Sequence, residues 1–303
     1  MANITAKDVA ALRERTGVGM MDCKKALVET DGDFEKAIVL LREKGLATQA
    51  KKASRVAAEG LVATCVIGNA AAVVEVNSET DFVANTDQFK NFVDMVAKTI
   101  VEANPADVEA LKACKASGSD KTVEEELQEV FLQIRENIQI RRFARLEGVV
   151  SSYVHGGGRI GVLVKLDTDL GEKADACGHD CAMQVAALNA PYVDRTKVPA
   201  DVLEGEKKIM LAQMAEDPKM ANKPEAVLAK IVEGKVGKYY TENCLVDQAF
   251  IKNDEITVGQ YIANCAKELG GKISVVEYVR FERGEGIAKR EDNFADEVAS
   301  MIK

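Results

Sequence analysis

The chain has 303 residues, 40 of them basic and 49 acidic, which gives a formal charge of −9 at pH 7. This balance argues against a dedicated nucleic-acid-binding protein, because such proteins usually carry a basic excess. No apolar run reaches the roughly 18–20 residues that cross a bilayer, and the N-terminal residues do not read as a secretory signal. With 47% hydrophobic residues, the chain can bury substantial cores. Its length favours about two domains, and we expect a cytoplasmic protein.

The seven cysteines predict no disulfide scaffold, because their number is odd and their spacing is wide. Cys177, His179 and Cys181 form one local cluster, but on a helix the two cysteines share a face from which His179 points away. A closed zinc site needs four converging ligands. We therefore expect no metal and no cofactor, although a metal-dependent enzyme using these three residues stays an alternative.

Residues 1–56 are predicted to form a three-helix domain followed by a linker. Thr5 is placed as the N-cap of the first helix, with Val9 and Leu12 at helical spacing. The second predicted helix carries the run MMDCKKALVET, and the third, FEKAIVLLREKG, is expected to end at Gly45. The basic, small-residue-rich run that follows is interpreted as a partly helical connector. A bundle of this size is typical of domains that bind other proteins.

An internal repeat dominates the middle of the chain. Residues 59–68 align with residues 147–156 at an offset of 88 residues, and the alignment continues without a gap to Thr80 and Thr168. Each copy has two apolar or alternating runs around a glycine turn, which predicts a β-hairpin, and a helical pattern follows each hairpin. The predicted fold class is therefore α+β, a duplicated core of antiparallel sheets covered by helices.

The core is predicted to divide into an N-terminal half, 57–145, and a C-terminal half, 146–283. Two charged amphipathic stretches separated by prolines predict a helical hairpin over 199–240, inserted in the second half. The run that precedes the second copy is predicted to be helical up to about Asn137 and then to form a strand. Residues 284–303 are predicted to form a C-terminal module with an amphipathic helix.

The run Thr80-Asp81-Phe82-Val83 is unusual, because a bulky aromatic residue stands in a polar stretch where a predicted strand meets a helix. Phe82 either folds back into the core, with Asp81 capping the helix, or protrudes as an aromatic anchor for a partner pocket. The pattern leaves both possibilities open. P-loop, GxSxG and HExxH motifs are absent, which favours a binding protein over an enzyme.

Five collinear segments resemble the bacterial elongation factor Ts family: ITAKDVAALRERTGVGMMDCKKALVETDGD, EVNSETDFVANTDQF, ENIQIRR, HGGGRIGVLV and RFERGEGI. The resemblance covers essentially the whole chain, and the first two segments are highly specific to that family. It implies a guanine nucleotide exchange factor for elongation factor Tu, the GTPase that brings aminoacyl-tRNA to the ribosome. It also implies a ubiquitin-associated-like N-terminal domain, and no enzymatic chemistry, direct nucleic-acid contact or membrane contact.

The resemblance further implies which residues meet the partner. Thr80, Asp81, Phe82 and Val83 match a wedge that disturbs the partner's magnesium and phosphate site. Other implied contacts are Arg13, Met20, Met21 and Lys24 in the N-terminal domain, Ile134 and His155 around the wedge, and Phe250 and Ile251 in a loop of the second half. Lys252 departs from the family's usual apolar residue in that loop, and the segments around 114–120 and 234–253 are interpreted as extra residues.

One alternative function is a ubiquitin-associated-type adaptor or chaperone-like factor without exchange activity. A homodimer, or a heterotetramer with the partner, is compatible with the sequence.

Overall fold

Three helices pack into a bundle near the N-terminus. The structure is a computed structural model that describes residues 4–216 and 223–288. The predicted N-cap is present, because the Thr5 hydroxyl accepts from the Asp8 backbone and the Asp8 carboxylate accepts from Thr5 in return. Leu12, Cys23 and Leu27 fill the centre of the bundle. The helices are α1 (Ala6–Thr16), α2 (Met20–Glu29) and α3 (Phe34–Lys52).

The third helix does not end at Gly45, as the sequence pattern predicted, but continues to Lys52. Gly45 is buried where α3 crosses a core helix, and a Cβ at this position would lie 2.2 Å from Leu132 Cδ2. The glycine therefore permits close helix packing and does not act as a C-cap. The connector between the bundle and the core is therefore shorter than predicted, because residues 46–52 belong to α3.

The first half of the core is a three-stranded antiparallel sheet in the order β1-β2-β3, with helices on one face. Strand β2 is buried along its whole length, as expected for a near-continuous apolar run covered on both faces. Phe89, Val96 and Ile100 belong to the core under these helices. The elements are β1 (Glu59–Ile67), β2 (Ala70–Ser78), α4 (Asp81–Ala84), α5 (Asp87–Ala103), α6 (Val108–Ala113), α7 (Val123–Ile134) and β3 (Gln139–Glu147).

The second half repeats this architecture with the sheet order β4-β5-β8. In both halves the helix before the last strand begins with a capping box, at Thr122 and at Thr257, so the duplication extends beyond the hairpins that reveal it in the sequence. The elements are β4 (Val149–His155), β5 (Ile160–Thr168), α8 (Asp175–Leu188), α9 (Ala200–Glu216), α10 (Glu225–Asn243), β6 (Ala249–Phe250), β7 (Asn253–Thr257), α11 (Val258–Leu269) and β8 (Ile273–Glu282).

The two larger sheets pack face to face, so the core has four layers in the order helices, sheet, sheet, helices. Val62, Val73, Val150 and Leu163 form the apolar layer between the sheets. The predicted α+β class and duplicated core are thereby confirmed. The boundaries at 57–145 and 146–283 stay predictions.

Helices α9 and α10 occupy the region of the hairpin predicted over 199–240, and α10 continues to Asn243. The C-terminal amphipathic helix predicted within 284–303 falls beyond residue 288 and lies outside the described residues. Among the helices of the described ranges, none is both long enough and apolar enough to cross a membrane.

Gly161→Ala is expected to destabilise the core by about 2 kcal/mol, the size of an overpacking substitution. A Cβ on Gly161 would lie 2.5 Å from Val62 Cγ1 and 3.2 Å from Val73 Cγ2, both on the facing sheet. Gly205→Ala in α9 is the control, because no atom lies within 4 Å of a Cβ there and alanine favours helix. Urea unfolding measures both variants, and an unchanged midpoint for Gly161→Ala would contradict the close sheet contact.

Candidate partner-binding site

The run 80–83 forms a tight helical turn, α4, directly after strand β2. Thr80 is its N-cap, since the Thr80 hydroxyl accepts from the Val83 backbone. The cap is therefore Thr80 and not Asp81, the residue considered for that role in the sequence. Phe82 projects from the turn with 82% of its surface exposed, which excludes the alternative in which the ring folds back into the core.

The residues around Phe82 are tied to the protein, so the exposed ring stands on a fixed base. Val83 packs against the core of the first half. The Asn85 side-chain amide donates to the Asp81 carbonyl at 2.9 Å, and the Thr86 hydroxyl donates to the Val83 carbonyl at 2.7 Å. These side-chain bonds add a second donor to carbonyls that already accept from the Asn85 and Thr86 backbone N–H groups, which ties the turn more firmly.

A carboxylate outside the predicted site also holds this turn. Glu136 Oε2 accepts from the Thr80 backbone N–H at 3.0 Å, and Oε1 accepts from the Thr80 hydroxyl at 2.7 Å. The neighbouring Asn137 backbone N–H donates to Glu79 at 2.7 Å. Glu136 and Asn137 belong to the ENIQIRR segment, so the resemblance marked the segment, but only the fold brings it beside residue 80.

The N-terminal contact positions lie on the surface of the bundle. Met20 and Met21 are 52% and 64% exposed, and Arg13 and Lys24 are also exposed. Two adjacent exposed methionines beside cations form an adaptable apolar patch with a polar border, a composition common at protein-binding surfaces.

This patch is joined to the wedge through the end of α7. Asp22, the residue after the methionines, forms an ion pair with Arg135 at 2.5 Å, and Lys52 donates to the Arg135 carbonyl at 2.5 Å. Helix α7 ends at Ile134, earlier than the predicted Asn137, because Arg135 takes the left-handed conformation with φ of 64°. Consecutive residues, 135 and 136, therefore contact the bundle and the wedge turn.

His155 lies exposed at the end of β4, with its Nδ1 2.9 Å from the Tyr153 hydroxyl. The turn after it rests on the first sheet, since the Val62 backbone donates to the Gly158 carbonyl at 2.8 Å. This contact places His155 at the end of the paired sheets where β2 leads into the wedge. Ile134 is half-buried against the first-half core, so only part of its side chain is available to a partner.

The loop after β6 supports only part of the contact that the resemblance implied. Phe250 is 4% exposed, and its ring stacks on Tyr261 with centroids 4.1 Å apart. Ile251 is 40% exposed, while Lys252 pairs with Asp180 at 2.6 Å. Since Phe250 packs beneath the loop, we keep only Ile251 as a proposed contact there.

The cysteine–histidine cluster on α8 does not converge. Cys177 and Cys181 lie in the second-half core, whereas His179 turns to the Ser152 carbonyl, 2.9 Å from its Nδ1. A hydrogen bond with Cys181 and burial raise the pKa of the Cys177 thiol, which keeps it protonated and unreactive. Within residues 4–216 and 223–288, no group of three or more His, Cys, Asp or Glu side chains could hold a metal ion.

An exposed aromatic ring on a fixed turn, with an exposed methionine patch tied to the same helix end, is the construction of a protein-binding surface. These features are typical of a protein that acts by contact with another protein. Comparison with known sequences agrees in class and is more specific: the family model described as Elongation factor TS matches residues 79–285. The chain belongs to the elongation factor Ts family, as its resemblance indicated.

Individual relatives match over nearly their full lengths. Elongation factor Ts of Syntrophotalea carbinolica is 48% identical over 305 residues, covering 99% of each chain. The Clostridium kluyveri protein of that name is 48% identical over 307 residues, again covering 99% of each chain. The Clostridium tetani one is 46% identical over 307 residues, 99% of this chain and all of the relative. The interpretation of segments 114–120 and 234–253 as extra residues stays a prediction.

Proposed function

We propose that the protein is the guanine nucleotide exchange factor of elongation factor Tu in translation elongation, and that it works in the cytoplasm. Membership of the elongation factor Ts family supports this function. The observation that carries the mechanism is Phe82, an aromatic side chain that is 82% exposed yet stands on an anchored turn. A large apolar ring held in water has an unfavourable hydration free energy, which binding in a partner pocket relieves.

Exchange requires only differential binding. A surface that fits the nucleotide-free partner better than the GDP-bound partner weakens GDP affinity, and GDP weakens the complex by the same coupling free energy. The factor then needs neither a phosphate-binding loop nor an acid–base pair of its own. We therefore infer that it is not an enzyme in the chemical sense, since it forms and breaks no covalent bond.

The wedge is suited to disturb a magnesium and phosphate site. Magnesium demands near-ideal octahedral geometry. Displacing one supporting element of the partner by about an ångström would therefore weaken the binding of the metal, and with it the binding of the nucleotide. Phe82 would supply the displacing bulk, and Asp81 would present a carboxylate beside it. A flexible loop would yield under the same force, whereas this turn is capped and packed.

The N-terminal patch would provide affinity rather than displacement. Met20 and Met21 offer apolar surface, and Arg13 and Lys24 offer positive charge at the border. Because Asp22 and Arg135 join the bundle to the end of α7, the patch and the wedge can meet one partner at the same time. Ile251 and His155 would extend the contact over the second half.

The function is tested by nucleotide release. Elongation factor Tu loaded with a fluorescent GDP analogue is mixed with excess unlabelled GDP, with and without this protein, and the fluorescence decay is followed. We expect release to accelerate with protein concentration and to saturate. Binding without acceleration would instead support the adaptor function, and neither binding nor acceleration would overturn both.

A further inference from the structure

The last turn of α7 and the residues after it contact both proposed binding surfaces. Leu132 packs against the core of the N-terminal bundle. The Gln133 side chain fills the space beside Gly17 of the bundle, where a Cβ would lie 2.5 Å from its Cδ. On its other side Gln133 accepts from the Gln88 amide at 2.5 Å, and Gln88 lies in the first turn of α5, immediately after the wedge. This stretch is therefore a common support of the bundle and the wedge.

The wedge turn depends on such a support. Helix α4 has four residues, far fewer than the roughly 12–15 that make an isolated helix even marginally stable in water. Because 82% of the Phe82 surface is exposed, the direction of the ring depends on the residues that anchor the turn. Val83 packs against the core, and the start of the turn is held by two hydrogen bonds from Thr80 that end on the same carboxylate, that of Glu136.

We propose that Glu136 is the positioning residue of the wedge, and that it sets the direction of Phe82 relative to the N-terminal bundle. Its carboxylate holds both donors of Thr80, while Arg135, one residue earlier, holds Asp22 of the bundle. This inference rests on the proposed exchange function for its consequence, but the orientation itself is a property of the free protein. Glu136 acts through Thr80 and needs no contact with the partner.

The first test uses the free protein. The chain contains no tryptophan, so Phe82→Trp introduces a single tryptophan at the tip of the wedge, which can be excited selectively over the tyrosines. We expect Glu136→Gln in this background to lower the steady-state anisotropy of that tryptophan, because one of the two oxygens that accept from Thr80 is replaced by an amide NH2, which donates and does not accept. Glu109→Gln is the control, as the Glu109 side chain is 82% exposed on α6. Equal anisotropy in all three proteins would overturn the proposal.

The second test separates positioning from binding. With native Phe82, we expect Glu136→Gln to lower the saturating rate of stimulated GDP release about tenfold, because a misplaced group loses transition-state contact. The half-saturating concentration should change by less than about threefold, since the bundle and the second half still bind. Glu109→Gln, on exposed α6, should retain the native rate, whereas Thr80→Val removes the hydroxyl that donates to Glu136 and should lower it.

A native rate for both Glu136→Gln and Thr80→Val would overturn the positioning role. The loss must occur without a matching loss of folding, which far-ultraviolet circular dichroism checks; if Glu136→Gln does not fold, Thr80→Val decides. If the native protein itself failed to accelerate release, the exchange function would fall, while the anisotropy result would still decide the role of Glu136.

Discussion

Replacing Phe82 with alanine is expected to slow the stimulated release of GDP from elongation factor Tu by about thirtyfold. Loss of an aromatic anchor costs on the order of 2 kcal/mol in a complex, and each 1.4 kcal/mol is about a factor of ten. The free protein should keep its stability, because the ring is 82% exposed and supports no core. Release kinetics under limiting factor concentration measure the effect, and urea unfolding checks the fold.

Leu188→Ala is the matched control for this substitution. Like Phe82, Leu188 is a large apolar side chain that is exposed, with 51% of its surface accessible. It lies at the end of α8, outside the proposed contact surface. It should leave stimulated release unchanged. Native release by a folded Phe82→Ala protein, or an equal loss in both variants, would remove Phe82 from the mechanism.

The second large effect is expected at Glu75, a carboxylate that is fully buried in strand β2. It accepts from Arg141 at 2.9 Å, from Arg142 at 2.6 Å and from the Gly284 backbone at 2.7 Å. Glu75→Gln removes the charge but keeps the shape, which leaves the arginines without their main counter-ion. We expect a loss of about 3 kcal/mol in the free energy of unfolding at neutral pH, as when one partner of a buried ion pair is removed.

The pH dependence of this contribution has a defined sign. Burial alone would raise the pKa of Glu75, but the Gly284 N–H and the two arginines outweigh it and hold the pKa below its usual range. A carboxylate with a lowered folded-state pKa stabilises the protein above the unfolded pKa, about 4.3 for glutamate. That stabilisation is lost as the pH falls from there through the folded-state pKa.

The stability difference between the native protein and Glu75→Gln should therefore stay constant above about pH 5 and shrink at lower pH. Urea unfolding across this range measures it. Glu109→Gln, with its side chain 82% exposed, should show little difference at any pH. A constant difference down to the acid limit would show that the Glu75 charge is not the stabilising feature.

The sequence predicts local features well where their cause is local. A capping box needs only residues three apart, so Thr5 and Asp8 suffice to start α1. The repeat predicts two hairpins because alternation and glycine turns act within about ten residues. The local sequence does not predict that Gly45 lies inside a continuous helix. The glycine is needed there because α3 packs closely against Leu132, which lies 87 positions later in the chain.

The candidate site shows the same division. The resemblance selects Phe82 and Phe250 alike, but the fold exposes the first and buries the second against Tyr261. Exposure depends on which elements cover a residue, and periodicity over a few residues carries no such information. The hydrogen bond between Thr80 and Glu136 joins residues 56 positions apart, so no local sequence pattern predicts it.

By itself the sequence determined the duplicated α+β core, the helix starts and the family, because these follow from local pattern and from residues compared position by position. The tertiary structure decided that the wedge is displayed and tied to the N-terminal bundle, and that a buried carboxylate holds the chain after β8. Those properties arise from contacts between segments that are distant in the sequence, and such contacts form only when the chain folds.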